Sequence, residues 1–478
     1  MPGVRKNFAY NFLLTVSGYI FPLITYPYIS RVLGVDNIGV CNFVDSVINY
    51  FVLFSQLGIS SYGVREVARC KDDPERLKEV FSNLFFLNLV TFVVSAIVLV
   101  VCTFTVPKFL AYKPFLLVGL FKLLFTLILV DWFFQGIEQF RFITIRTIIV
   151  KFLYVIGVFV FIRDSGDALV YYMLTTGMVV LNAILNWHWS KRFTRLSFKG
   201  LHPLPFIVPI LVFGYYRILT SMYTTFNVVF LGFVKNDVEV GYFSQATKLY
   251  SLIMATFSAF TTVMVPRVSA MIGEGRQKEL QGIVDRIVQL LVSLAVPAIV
   301  YCVANAESIV HLVSGPGYEG AELPFRIVVF LLLVIGLEQV VIQQCLMASK
   351  DTKPTMYVAT VGAVVGILLN VAITPRLGAV GSSISWGVSE LAVLVAGLVL
   401  VKKTLGLRID FRAFLRSLGF GLCYLVPIWT AWWLIPDIWW RLGVTTVLII
   451  PIFLLVNLRL NPSTLLDEMK GALKRFIR

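Results

Sequence analysis

The chain has 478 residues, 58% of them hydrophobic, with a mean hydropathy of +0.86 and a net charge of +15. Soluble globular chains hold roughly 45–50% apolar residues, so this composition cannot make a water-soluble surface, and the positive charge is no nucleic-acid footprint until its distribution is known. Six cysteines, Cys41, Cys70, Cys102, Cys302, Cys345 and Cys423, lie in or beside apolar blocks without metal-ligand spacing and read as small packing residues.

A helix crosses the hydrocarbon layer with about 20 apolar residues. The apolar blocks here are unbroken rather than alternating, which excludes a membrane barrel. In chain order the predicted spans lie near 8–29, 39–61, 82–106, 115–137, 147–162, 168–189, 204–231, 244–265, 283–304, 323–346, 355–374, 380–401, 415–435 and 441–460. The expected fold is therefore an all-α integral membrane protein with about 14 spans. The first block, FAYNFLLTVSGYIFPLITYPYI, follows Arg5 and Lys6 but is too long for a cleaved export signal and lacks an A-x-A-like site.

With the N-terminus inside, the inner segments and the span ends beside them hold 29 Lys and Arg, against 7 in the outer loops. That asymmetry follows the positive-inside rule and predicts both termini in the cytoplasm. The basic balance is then mostly topogenic, with some attraction to anionic lipid. The outer loops are short, the longest being NAESIVHLVSGPGYEGAE, which leaves little material for an enzyme on that side. REVARCKDDPERLKEV and the tail LLDEMKGALKRFIR read as short amphipathic helices at the inner surface.

RVLGVDNIGVCNF after the first span is echoed by FLGFVKNDVEVGYF after the seventh. Leu33-Gly34 recurs as Leu231-Gly232 at an offset of 198, and Gly39 as Gly241 and Arg65 as Arg267 at an offset of 202. Six spans separate the copies, an even number, so the repeats are parallel and related by an axis along the membrane normal. The expected organisation is an N-lobe over 1–200, a C-lobe over 201–403, and an appended pair of spans with a cytoplasmic tail over 404–478.

A charge inside a span costs about 2.5–3.5 kcal/mol or more, so it should face a cavity or a partner. The basic ones are Lys122, Lys151, Arg217, Lys248 and Arg326; the acidic ones are Asp45, Asp131, Glu338 and Glu390. Lys151, Lys248 and Arg326 are shallow enough to snorkel. Arg217 is near the middle of its span, and Gly214, Thr220, Ser221 and Thr224 fall on its helical face, so these residues are candidates for a substrate passage, together with Lys122. Asn11 and Thr15 begin a second polar stripe in the first span, whose plainer reading is helix packing through small residues. Glu390, Glu338, Asp131 and Asp45 are candidates for ion coupling, or are partners of nearby bases. Lys122 and Asp131, nine apart, should point to opposite sides of one helix, whereas Asp131 and Glu138 should share a face. There is no Walker-type loop, no metal-ligand cluster and no nucleophile constellation; His188, His202 and His311 are isolated, and neither a cofactor nor catalysis is expected.

YISRVLGVDNIGVCNFVDSVINYFVLFSQLGISSYGVREVAR, then DWFFQGIEQFRFITI, then LMASKDTKPTMYV with NVAITPRLGAVGSSIS, resemble the bacterial oligosaccharide-unit flippases of the Wzx type, within the multidrug/oligosaccharidyl-lipid/polysaccharide exporter superfamily. The resemblance covers most of the first 400 residues. It implies a two-lobed transporter of the inner membrane that moves undecaprenyl-diphosphate-linked repeat units outward through a cation-lined cavity. Arg31, inside the first quoted block, joins Arg217 and Lys122 as a candidate cavity cation. H+ or Na+ as coupling ion and contact with a polysaccharide polymerase are implied as well. The alternative within the superfamily is an ion-coupled exporter of organic cations; a glycan polymerase or ligase is disfavoured by the short outer loops.

Overall fold

The computed structural model describes residues 2–274, 276–346, 353–407, 414–415, 418–419 and 423–460. Among them every regular element is helical. Nine helices are long and apolar enough to cross a membrane, and two of these, at 48 and 53 residues, are long enough to cross twice. The tail LLDEMKGALKRFIR and most of LMASKD lie outside the described residues.

By contact the chain forms two compact units, Met1–Ser244 and Gln245–Arg478. The first holds α1 (Pro2–Gln56), α2 (Ile59–Cys70), α3 (Pro74–Thr105), α4 (Pro107–Ala111), α5 (Lys113–Ile128), α6 (Asp131–Gly136), α7 (Phe140–Phe161), α8 (Ala168–Ser190), α9 (Leu204–Ser221), α10 (Phe226–Val234) and the start of α11 (Asp237–Gly273). Expected spans 1 and 2 are the two halves of α1, broken at Gly34, whose φ of 77° only glycine adopts without strain. Residues 201–244 pack with this unit.

Three other breaks fall on side-chain-bearing residues in left-handed backbone: Leu57 (φ 44°) between α1 and α2, Val130 (φ 32°) between α5 and α6, and Glu138 (φ 59°) between α6 and α7. Each such residue costs about 1–3 kcal/mol and persists only where its surroundings fix it. Three expected spans are corrected by the observed helix ends. Span 4 is two helices rather than one, span 7 is interrupted after Ser221, and the α7 helix begins at Phe140, seven residues before the predicted start. The segment REVARCKDDPERLKEV is not one surface helix either. It is the end of α2 and the start of α3, separated where Asp73 caps the amides of Glu75 and Arg76 at 3.1 Å. Across this surface Lys71 Nζ meets Glu138 Oε1 at 2.7 Å, a hydrogen bond that holds the ammonium pKa above its ordinary value.

Two of the segments that carry the family resemblance pack on each other. A Cβ at Gly63 of α2 would strike the Trp132 indole of α6, and one at Gly136 would strike Val67. Trp132, Phe133 and Phe134 are buried beside Phe81, with the Phe81 and Phe133 rings 5.0 Å apart.

The sequence repeat has a geometric counterpart. A Cβ on Gly39 would collide with the carbonyl of Asp237, and a Cβ on Gly241 with the carbonyl of Val35. Val35 and Asp237 are themselves 202 apart, like Gly39 and Gly241, so the two contacts are mates under the repeat. Reciprocal contact of this kind is what a two-fold axis produces. Nearby, Gly58 meets the Ile210 carbonyl and Gly214 with no room for a side chain.

The second unit continues with α12 (Gln277–Ala304), α13 (Ala306–Ser314), α14 (Glu322–Val328), α15 (Leu331–Glu338), a π-helical stretch (Gln339–Leu346), α16 (Lys353–Leu405), α17 (Leu425–Leu434) and α18 (Ile438–Leu460). Helix α16 holds expected spans 11 and 12, broken at Gly378 (φ 58°). Its buried face is hydroxyl-rich, with Thr374, Ser382, Ser383, Ser385 and Ser389.

Gly39→Val should lower the melting temperature of the purified protein in detergent, at a cost of about 1–3 kcal/mol or more for overpacking against fixed backbone. Gly177→Ala, where nothing lies within 4 Å of the added carbon, should leave it unchanged.

Candidate functional site

On the second half of α1 the polar residues Asp45, Asn49 and Gln56 lie on one stripe with Val52, at spacings of four, three and four. Asn49, Val52 and Gln56 of that stripe form one wall of a cavity of about 400 Å³, with Tyr50 and Leu53 beside them. Arg217, Thr220, Ser221, Thr224 and Thr225 form the facing wall, so the hydroxylated part of the predicted face lines an opening, while Gly214 packs against Gly58 instead. The walls are tied where the Tyr50 hydroxyl donates to the Ser221 carbonyl at 3.0 Å. Arg217 is half-buried, and its guanidinium hydrogen-bonds the hydroxyl of Ser60, just beyond the Leu57 break.

Lys122 sits behind the α1 wall. Its ammonium lies 2.5 Å from Asp45 Oδ1 and 3.0 Å from the Asn49 amide oxygen, while Asn49 donates from its nitrogen to Asp45 Oδ2 at 3.0 Å. Two of the predicted residues, one assigned to substrate and one to ion coupling, are thus joined by a third that sequence reasoning did not single out. The remaining substrate candidates lie elsewhere. Asn11, Thr15 and Arg31 are exposed on the first half of α1 and are not on this cavity wall, and the Thr15 hydroxyl donates to the Asn11 carbonyl.

Asp131 belongs to a separate cluster at the α5–α6 break. It accepts from Arg146 at 3.1 and 3.2 Å and from the Asn186 amide at 2.8 Å, while Asn186 also contacts the Arg146 guanidinium and the Leu129 carbonyl. Arg146 is 6% exposed. It counted among the inner-loop cations at sequence level, and its burial follows from the earlier start of α7. The breaks also explain why Asp131 and Glu138 do not share a face, since no continuous helix joins them. Lys151 reaches back to the Ser17 hydroxyl at 3.1 Å rather than out to an interface.

In the second unit, Glu338 of α15 and Glu390 of α16, which are 52 residues apart in sequence, bring their carboxyls within hydrogen-bonding reach of each other. Both are buried, at 9% and 3% exposure. The Trp386 indole donates to Glu390 at 2.8 Å, and the Tyr250 ring packs edge-on to Trp386. A π-helical turn begins immediately after Glu338, and such turns often accompany functional sites. Among the described residues no group of three or more His, Cys, Asp or Glu could hold a metal ion.

Long lipid-facing helices with buried charges and an internal polar cavity define a multi-pass membrane transporter. The chain belongs to the polysaccharide biosynthesis protein family, which matches residues 4–272, and a MatE match covers 215–372. It is similar to an O-antigen transporter of Escherichia coli (strain K12), 23% identical over 84% of this chain and 97% of that one. In fold it resembles the lipid II flippase MurJ in an inward closed conformation, with a TM-score of 0.80 at 14% identity over 95% of this chain and 98% of the other. An outward-facing multidrug transporter of the MATE family superposes at 0.57 with 15% identity, over 84% and 95% of the two chains.

Arg146→Met should leave Asp131 without its cation and destabilise the protein by about 3–5 kcal/mol. Arg146→Met combined with Asp131→Leu should recover much of that loss, read as the melting temperature in detergent.

Proposed function

We propose that this protein flips undecaprenyl-diphosphate-linked oligosaccharide repeat units from the inner to the outer leaflet of the bacterial cytoplasmic membrane, with both termini cytoplasmic, for cell-surface polysaccharide. The observation that carries the reading is Arg217 on the wall of a hydroxyl-lined cavity within a spanning segment. A diphosphate bearing a glycan cannot cross hydrocarbon unaided, whereas a polyprenyl tail can stay in lipid. A guanidinium fork suits phosphate because it offers paired charge-assisted hydrogen bonds, and the facing hydroxyls and amides suit sugar. The two repeats, 1–200 and 201–403, expose the site alternately to each side. Family membership and the O-antigen transporter relatives support the substrate class.

The carboxyl pair is the coupling site in this reading. Two carboxylates in contact in a buried place cannot both be ionised without a cation, so the pair holds either one shared proton or a monovalent ion. The same pair is the one observation that favours a second reading, an ion-coupled exporter of organic cations.

Arg217→Gln should abolish movement of the lipid-linked unit in reconstituted vesicles, with melting temperature retained. Cells lacking the protein should accumulate lipid-linked units on the inner leaflet; accumulation of an organic cation instead supports the second reading. Glu390→Gln should remove the dependence of transport on an imposed ion gradient while leaving cargo binding intact, measured by comparing vesicles with and without the gradient.

A further inference from the structure

We propose that Lys122 is a second phosphate-binding group of the transport cavity, and that Asp45 is a tethered anion that occupies it while no cargo is bound. The inference rests on the Arg217 cavity being the cargo site. A lone charge in a span is costly, so an ammonium in this place gains from an anionic partner. In this structure that partner is Asp45, at 2.5 Å. The Lys122 side chain is 16% exposed and that of Asp45 37%, so the pair is not sealed in the core.

Asn49 makes the connection. It is exposed, it lies on the cavity wall, and its two amide atoms hold the two members of the pair at once. Any anion that entered beside Asn49 would therefore meet Lys122 with only the Asp45 carboxylate to displace. Register places the site within reach of Arg217. Gly58 faces Gly214 and Tyr50 faces Ser221, so Arg217 stands opposite residues near 54, roughly 10 Å along the helix from the Asp45–Asn49 turn at 1.5 Å per residue. The Arg217 guanidinium is held at Ser60, on the far side of that point, so closing on one diphosphate together with Lys122 requires it to leave the serine and swing toward Asn49.

Exchange of one anion for another on Lys122 avoids the desolvation that a bare ammonium would suffer. It also limits how tightly cargo is held, since Asp45 competes for the same group at every moment. A carrier needs both, because a site must be favourable to enter and easy to leave. Lysine suits the exchange better than arginine would, being a compact charge on a flexible stem without a fixed fork.

The test is equilibrium binding of undecaprenyl diphosphate to the full-length protein in detergent, with melting temperatures recorded for every variant. Asp45→Asn removes the competing charge and keeps the shape, so it should bind about tenfold more tightly than wild type, the size expected when one charged competitor is lost. Adding Lys122→Gln to it should cancel the gain, whereas Lys122→Arg alone should still bind. Asp45→Asn that binds no tighter than wild type, or a gain that survives Lys122→Gln, overturns the proposal. Arg217→Gln reports separately on the underlying reading: unchanged binding there removes the cavity assignment, while a loss there with no gain in Asp45→Asn removes only the tethered anion.

Discussion

In hydrocarbon no water is available to satisfy a polar group, so every backbone amide must be bonded within its helix and every charge must find a partner or a cavity. The architecture follows from that constraint. The regular elements among the described residues are all helices, and the intramembrane charges are gathered into a small number of places. Asp131 is held by Arg146 and Asn186, Asp45 by Lys122 and Asn49, and Glu338 by Glu390. Lys151 and Arg217 instead meet neutral serines, Ser17 and Ser60, and of the two it is Arg217 that lines a cavity.

That difference separates scaffold from site. The Arg146 cluster joins Arg146, Asp131 and Asn186 and sits at a strained break beside Val130, where it pins two helix ends. Its charge balance is complete without a ligand. The Arg217 wall carries a cation bonded to a hydroxyl, which in the proposed function receives the anionic part of the cargo. Between these extremes lies the Lys122 pair, balanced internally yet touching the cavity through one amide side chain.

The all-helical membrane class and the order of the apolar blocks were legible in the sequence because apolar length is a strong signal; each of the 14 predicted blocks meets a helix or half-helix among the described residues, of which nine helices are long and apolar enough to span. The hydroxylated face around Arg217 was also legible, because helical spacing alone places Thr220, Ser221 and Thr224 beside it. What escaped were the breaks. Leu57, Val130 and Glu138 carry no glycine or proline signal, so left-handed backbone at those positions could not be anticipated, and the false continuity of span 4 put Asp131 and Glu138 on one face. Arg146 escaped for a related reason, as its span was begun seven residues late. Asn49 and Gln56 were within reach, since their spacing from Asp45 is helical, but a search confined to charges passes over amides. The pairing of Glu338 with Glu390 needs tertiary structure and has no local trace.

The reciprocal glycine contact has a consequence for how such a chain could arise. Gly39 on Asp237 and Gly241 on Val35 form a self-complementary crossing, and self-complementary surfaces do not require a covalent link between their halves. Two identical half-length proteins inserted in the same orientation would make the same crossing about a shared axis. Fusion of a homodimer's gene then preserves an interface that already fitted, and frees each copy to diverge wherever the other does not touch it. The opposed glycines are where that freedom ends, because a side chain gained by either copy would strike the backbone of the other.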